Sequence, residues 1–172
     1  EYFMTPAIYT ASVPVFQQML GGLQTVLRKA EAHATDKKID PNALLQARLF
    51  PDMFPLLRQV QVASDFAKSV AARLAGVEVP KLDDSDQTFA DLQQRISAVL
   101  AFLASLTEAQ FAQADEREIV TQAGTPKEKR FTGQSYIFNY GLPHFFFHTT
   151  TAYAILRHNG VEVGKKDYIG TY

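Results

Sequence analysis

The stretch TGQSYIFNYGLPHFFFHTTTAYAILRHNG, residues 132–160, decides how the rest of the chain is read. It is the most aromatic and least charged run, and it holds three of the four histidines. Pro143 is either the N1 residue of the last helix or a kink in a longer one. The helical spacing of Tyr136, Ile137 and Tyr140 ahead of it favours a helix that starts near Gln134 and is kinked by the proline. The kink would free the carbonyl of Asn139, one turn from His144. Asn159-Gly160 then ends the helix as a C-cap. His144 and His148 stand four apart, on one helix face, with roughly 5–6 Å between their Cβ atoms. Two imidazoles at that separation can share a metal ion, with Zn–N bonds of roughly 2.0–2.1 Å. Phe145, Phe146 and Phe147 lie between them and point in different directions. A single neighbouring helix cannot bury all three.

The segments before this one carry the same signal. Val13, Phe16, Leu20, Leu23, Leu27 and Ala30 give a first helix over Tyr9–Ala34, with Ser12 ahead of Pro14 as the expected N-cap. Gly21-Gly22 weakens its middle by roughly 1 kcal/mol per glycine and suits close approach of another segment. Asp40-Pro41 opens a short helical piece as N-cap and N1 residue. A second long helix is predicted over Asp52–Ala75, with Met53, Leu56, Val60, Ala63, Ala67, Val70 and Leu74 as its core stripe. Gly76 is its C-cap. Gln59, Gln61, Ser64 and Asp65 flank that stripe. Asp83, Asp84 and Asp86 form a loop leading into an N-cap, without the glycine and terminal glutamate of an EF-hand. Thr88–Leu106 is a third helix, built on Phe89, Leu92, Ile96, Val99 and Leu103. Residues 118–121 and 127–131 flank the turn Gly124-Thr125-Pro126 and predict a hairpin. The sum is an all-α four-helix bundle with a small β-hairpin between helices three and four.

At 172 residues the chain is expected to be one domain, from Met4 to Tyr172. Glu1, Tyr2 and Phe3 ahead of Met4 are expected to be an expression remnant. The net charge of −1 gives no basic footprint for nucleic acid. No apolar run approaches the ~20 residues of a membrane span. Cysteine is absent, which excludes disulfides, thiolate metal sites and a cysteine nucleophile. A reducing cytoplasm suits that composition.

The run His144-Phe-Phe-Phe-His148, followed by Leu156-Arg157-His158-Asn159-Gly160, resembles the last helix of the DinB/YfiT-like superfamily. Ile8-Tyr9-Thr10-Ala11-Ser12-Val13-Pro14 and Phe54-Pro55-Leu56-Leu57-Arg58-Gln59-Val60-Gln61 resemble more specifically one bacterial domain-of-unknown-function branch of it. The similarity covers nearly the whole chain. It implies a four-helix bundle in which many members bind a divalent metal through three histidines, one from the second helix and a pair four apart from the last. In an ungapped alignment Gln61 occupies the second-helix position. Its amide oxygen is a poorer ligand for zinc or nickel than an imidazole. Asp65, one turn later, and Tyr140 are the other ligand-binding candidates.

Two functions follow. One is a divalent-metal-dependent thiol transferase or hydrolase with a degenerate site, zinc or nickel being held by His144, His148 and Gln61. The other is a non-catalytic bundle that forms a homodimer or binds a small apolar ligand without metal, its two histidines lining the core.

Overall fold

A computed structural model describes residues 6–172. The expected remnant, residues 1–3, and Met4 lie outside the described residues. The elements are α1 (Ala7–Lys37), α2 (Pro41–Leu45), α3 (Leu56–Ala75), α4 (Phe89–Ser105), β1 (Glu118–Thr121), β2 (Lys129–Thr132), α5 (Gly133–Ser135), a π-helical turn (Tyr136–Gly141), α6 (Leu142–His158) and α7 (Lys165–Ile169). The four long helices α1, α3, α4 and α6 form a bundle, and β1 and β2 form the hairpin between α4 and the last long helix.

The bundle core is the set of apolar stripes laid together. Phe16, Leu20 and Leu27 of α1 are buried with Val60, Ala63, Ala67, Val70 and Leu74 of α3. Ile96, Val99 and Leu103 of α4 and Phe145, Ala152 and Ile155 of α6 complete it. Phe16 and Phe145 meet edge to face, with ring centroids 4.8 Å apart. Many of the α3 core residues are alanines, which lets neighbouring helices approach closely.

Helix ends follow local chemistry. Asp40 caps α2 by accepting from the Asn42 amide at 3.0 Å, with Pro41 at N1. Gly76 ends α3 at φ 72°, a left-handed conformation that glycine adopts without penalty. Thr88 and Asp91 form a capping box at the start of α4.

Two expectations need correction. Ser12 is not an N-cap: α1 starts at Ala7, Pro14 lies inside it, and the Ser12 hydroxyl donates to the Ile8 carbonyl at 2.6 Å. That backward bond satisfies a buried hydroxyl within the helix. The second long helix begins at Leu56 rather than near Asp52, because Pro55 stands as its N-cap and disfavours helical backbone at Phe54. Beyond the last long helix the chain forms one more short helix that the sequence reading did not place. α7 folds back over α1, where Gln18 Nε2 donates to the Ile169 carbonyl at 3.1 Å and Lys29 pairs with Asp167 at 2.8 Å. Gly22 makes room for it, since a Cβ there would collide with the Tyr168 carbonyl.

The hairpin is antiparallel, with Glu118 opposite Thr132, Ile119 opposite Phe131, Val120 opposite Arg130 and Thr121 opposite Lys129. From β2 the chain passes directly into α5, the π turn and α6, one helical run that starts near Gln134 as expected. Pro143 falls at the start of α6. The turn before it is π-helical, and a proline in the first turn of α6 needs no partner for a missing amide. Gly141 lies where a Cβ would meet Val70 Cγ1 at 2.9 Å, so the turn is pressed onto α3.

Candidate functional site

Two lines of side chains face each other along the seam between α3 and the last helical run. On α3 the line is Gln59, Phe66 and Arg73, seven apart, which places them nearly above one another with about 21 Å from first to last. On the other side it is Tyr136, Tyr140, His144 and His148, four apart. The helices run antiparallel, so the lines pair end to end. Arg73 donates to the Tyr136 hydroxyl at 3.0 Å. The Phe66 ring lies 5.8 Å from Tyr140, 4.7 Å from His144 and 5.9 Å from His148, centroid to centroid. Both imidazoles are nearly parallel to it, at 11° and 16°. Tyr140 adds a second aromatic contact to His144, at 4.5 Å. At the far end His148 Nδ1 lies 2.7 Å from Gln59 Oε1.

That last contact sets the tautomer. An amide oxygen only accepts, so Nδ1 carries the proton and Nε2 of His148 keeps its lone pair. The same amide donates through Nε2 to the Phe54 carbonyl at 3.2 Å, which fixes its orientation. His148 is buried, and burial drives its pKa down to about 4, with His144 and Arg58 lowering it further. The ring is neutral at physiological pH. His144 is exposed overall, but its faces are covered by Phe66 and Tyr140; burial and then Lys129 lower its pKa.

Of the residues expected at the site, Tyr140, His144 and His148 are brought together, and Gln61 is not hydrogen-bonded to either imidazole. Its amide nitrogen donates to Asp86 at 2.9 Å and its oxygen accepts from Arg58 at 3.3 Å. Gln59 takes the contact with His148 because two residues along a helix turn a side chain by about 200°. Asp65 pairs with Arg95 at 2.8 Å and Lys68 at 3.2 Å. Asp84 and Asp86 also close on Arg95, at 3.1 and 2.9 Å, and the Asp83 carbonyl accepts from it at 2.7 Å. The Arg95 side chain is only 2% exposed, so the acidic loop is the counter-charge of a buried guanidinium as well as the approach to an N-cap. Sequence reading passed over Arg95, Phe66 and Arg73. The sevenfold spacing of Gln59, Phe66 and Arg73 was the signal that could have found the last two.

Beside this seam lies a cleft of 190 Å³ lined by Asp65, Phe66, Ser69, Arg73, Tyr140 and the hairpin residues Thr121 and Gln122. Gln122 has a φ of 51°, a left-handed conformation uncommon outside glycine. Phe66 and Tyr140 are shared between the cleft and the histidine pair.

The comparisons with known proteins bear on the whole of this arrangement. A crystallised protein from Shewanella denitrificans, described as a DinB family member, is 48% identical over 95% of this chain and 92% of its own, with a TM-score of 0.89. This chain belongs to the DinB family. Residues 8–169 also match the model of a domain of unknown function, DUF1993. No curated protein matches it. The DinB fold raises the question of a three-donor metal centre, and the residues here do not fit one. Among the described residues no group of three or more His, Asp or Glu is placed to hold a metal. The side of α3 that meets both imidazoles of this DinB-family member presents a phenyl ring, and the amide of Gln61 is engaged with Asp86 and Arg58.

Proposed function

We propose that this DinB-family protein is a small-molecule-binding bundle whose site is the aromatic seam and the adjoining cleft, and that it works without a metal at His144 and His148. One observation carries the reading. Phe66 lies flat against both imidazoles, in the place on α3 from which a third donor would have to reach them. Zinc sites take three or four protein ligands. His148, neutral and with Nε2 unprotonated, offers a ligand one fixed hydrogen-bond acceptor amid aromatic surroundings. A metal-dependent thiol transferase or hydrolase would need a donor that α3 does not supply. A second copy of the chain belongs to the same reading. Of the three consecutive phenylalanines Phe145 is buried and Phe146 half-buried, while Phe147 is 54% exposed beside His148 and suits a homodimer contact.

Calorimetric titration of tag-free protein with zinc and nickel at pH 7.5 tests the site. No saturable heat is expected. Stoichiometric binding that is lost in both His144→Ala and His148→Ala would overturn the reading.

A further inference from the structure

Arg73 lines the cleft without a counter-charge of its own. It is half-buried, and it donates a hydrogen bond to the hydroxyl of Tyr136. Tyr136 is fully buried, and burial raises its pKa, so the phenol is neutral and gives Arg73 an acceptor but no counter-charge. Among the described residues Arg73 forms no salt bridge. The one carboxylate lining the cleft, Asp65, is held by Arg95 and Lys68. A half-buried guanidinium pinned on one side, with further N–H groups to give, is the usual recognition element for a planar anion.

The rest of the lining agrees with this. Ser69 lies one turn before Arg73 on α3 and Thr121 comes from β1, and both hydroxyl-bearing residues line the same cleft as the guanidinium. Phe66 and Tyr140 form the apolar wall. At 190 Å³ the cleft is smaller than the ~300–1,000 Å³ of drug-sized ligand sites, which limits it to a small molecule.

We propose that this cleft binds a small monocarboxylate, its carboxylate on Arg73, Ser69 and Thr121 and its apolar body along Phe66 and Tyr140 toward the histidines. The proposal rests on the small-molecule reading and names the class of ligand. Phosphate is a weaker match. A single cation and two hydroxyl-bearing residues suit one negative charge, and the Asp65 carboxylate on the same lining disfavours a dianion more than a monoanion.

The test is calorimetric titration with sodium benzoate, alongside benzamide as a neutral isostere and inorganic phosphate. Benzoate should bind saturably and benzamide about tenfold more weakly or worse, since a charge-assisted hydrogen bond contributes about that much. Arg73→Gln should bring benzoate down to the benzamide level, and Thr121→Val should weaken benzoate more than benzamide. The comparison of probes on the unaltered protein and the Thr121→Val variant stand even if Arg73→Gln does not fold. Absence of benzoate binding, equal binding of benzamide, or preference for phosphate would overturn the carboxylate assignment. Failure of the underlying reading shows differently, as zinc or nickel heat that depends on the histidines.

Discussion

Gln59 on α3 and His148 on α6 are joined by a 2.7 Å contact between an amide oxygen and an imidazole nitrogen, and both side chains are buried. Neither residue has another way to satisfy that atom in the bundle interior. Replacing Gln59 by leucine should therefore cost ~1–3 kcal/mol, because it leaves the His148 N–H without an acceptor. Urea denaturation compares the variants. The double variant Gln59→Leu/His148→Phe should recover part of the loss, since both polar partners are then gone.

Acid should weaken the fold through His148. Its folded pKa of about 4 lies below the ordinary value of 6.5, so between those values the unfolded chain binds the extra proton. Stability is then full above about pH 6.5 and falls as pH drops toward 4. The loss should reach about 2 kcal/mol, once residual solvent screening is allowed for. Urea midpoints at pH 7.5, 5.5 and 4.5 measure it. A His148→Phe variant should show a flatter profile, and an identical slope would remove His148 as the cause.

Restoring a histidine at the position aligned with the family's second-helix ligand should create no metal site. The side chain at 61 hydrogen-bonds Asp86 and Arg58, and neither imidazole. Gln61→His is expected to give no saturable heat with zinc or nickel. Binding by that variant would show that position 61 can swing across to the seam.

Arg95 should prove expensive to remove. Arg95→Met would leave Asp65, Asp84 and Asp86 facing one another without the guanidinium that joins them. Breaking a buried ion pair from one side costs ~3–5 kcal/mol, and the partial exposure of these carboxylates brings the expected loss to about 2–3 kcal/mol. Thermal unfolding with and without added salt would record the change.

The exposed Phe147 is the residue on which a homodimer would turn. Light scattering at micromolar concentration is expected to show a dimer, and Phe147→Glu a monomer with the same helical spectrum. A monomeric parent protein would end that expectation.

The sequence displayed the bundle well and the site only in part. Apolar residues at helical spacing located α1, α3, α4 and α6, because each buries one stripe and the period survives in the sequence. Caps such as Asp40 and Gly76 were legible because their chemistry is local. The partner of His148 was not. Choosing between Gln59 and Gln61 depends on how α3 is rotated about its axis, and that is fixed by packing against the other helices. Phe66 was missed for a related reason. A phenylalanine at the edge of an apolar stripe looks like core, and only the antiparallel pairing shows that it lies against two histidines. α7 gave too short a pattern to be read, since five residues cannot display a helical period.

The π turn at Tyr136–Gly141 governs the phase of the site. In an uninterrupted α-helix the twelve residues from Tyr136 to His148 would carry the side-chain direction through about 120°. Tyr136 would then point away from the line that His148 follows. A wider turn accommodates one residue more than an α turn, which takes back about 100° of that rotation. The turn thus works as an angular gear between two stretches of helix, setting Tyr136 over Arg73 while His148 stays over Gln59. Deleting a single residue within it would leave the bundle helical throughout and its core almost intact. The two ends of the seam would stay in register, since eleven α steps carry the direction through only about 20° beyond full turns. Drawing the turn into α-helix with every residue kept would instead swing Tyr136 away from Arg73 by about 100°.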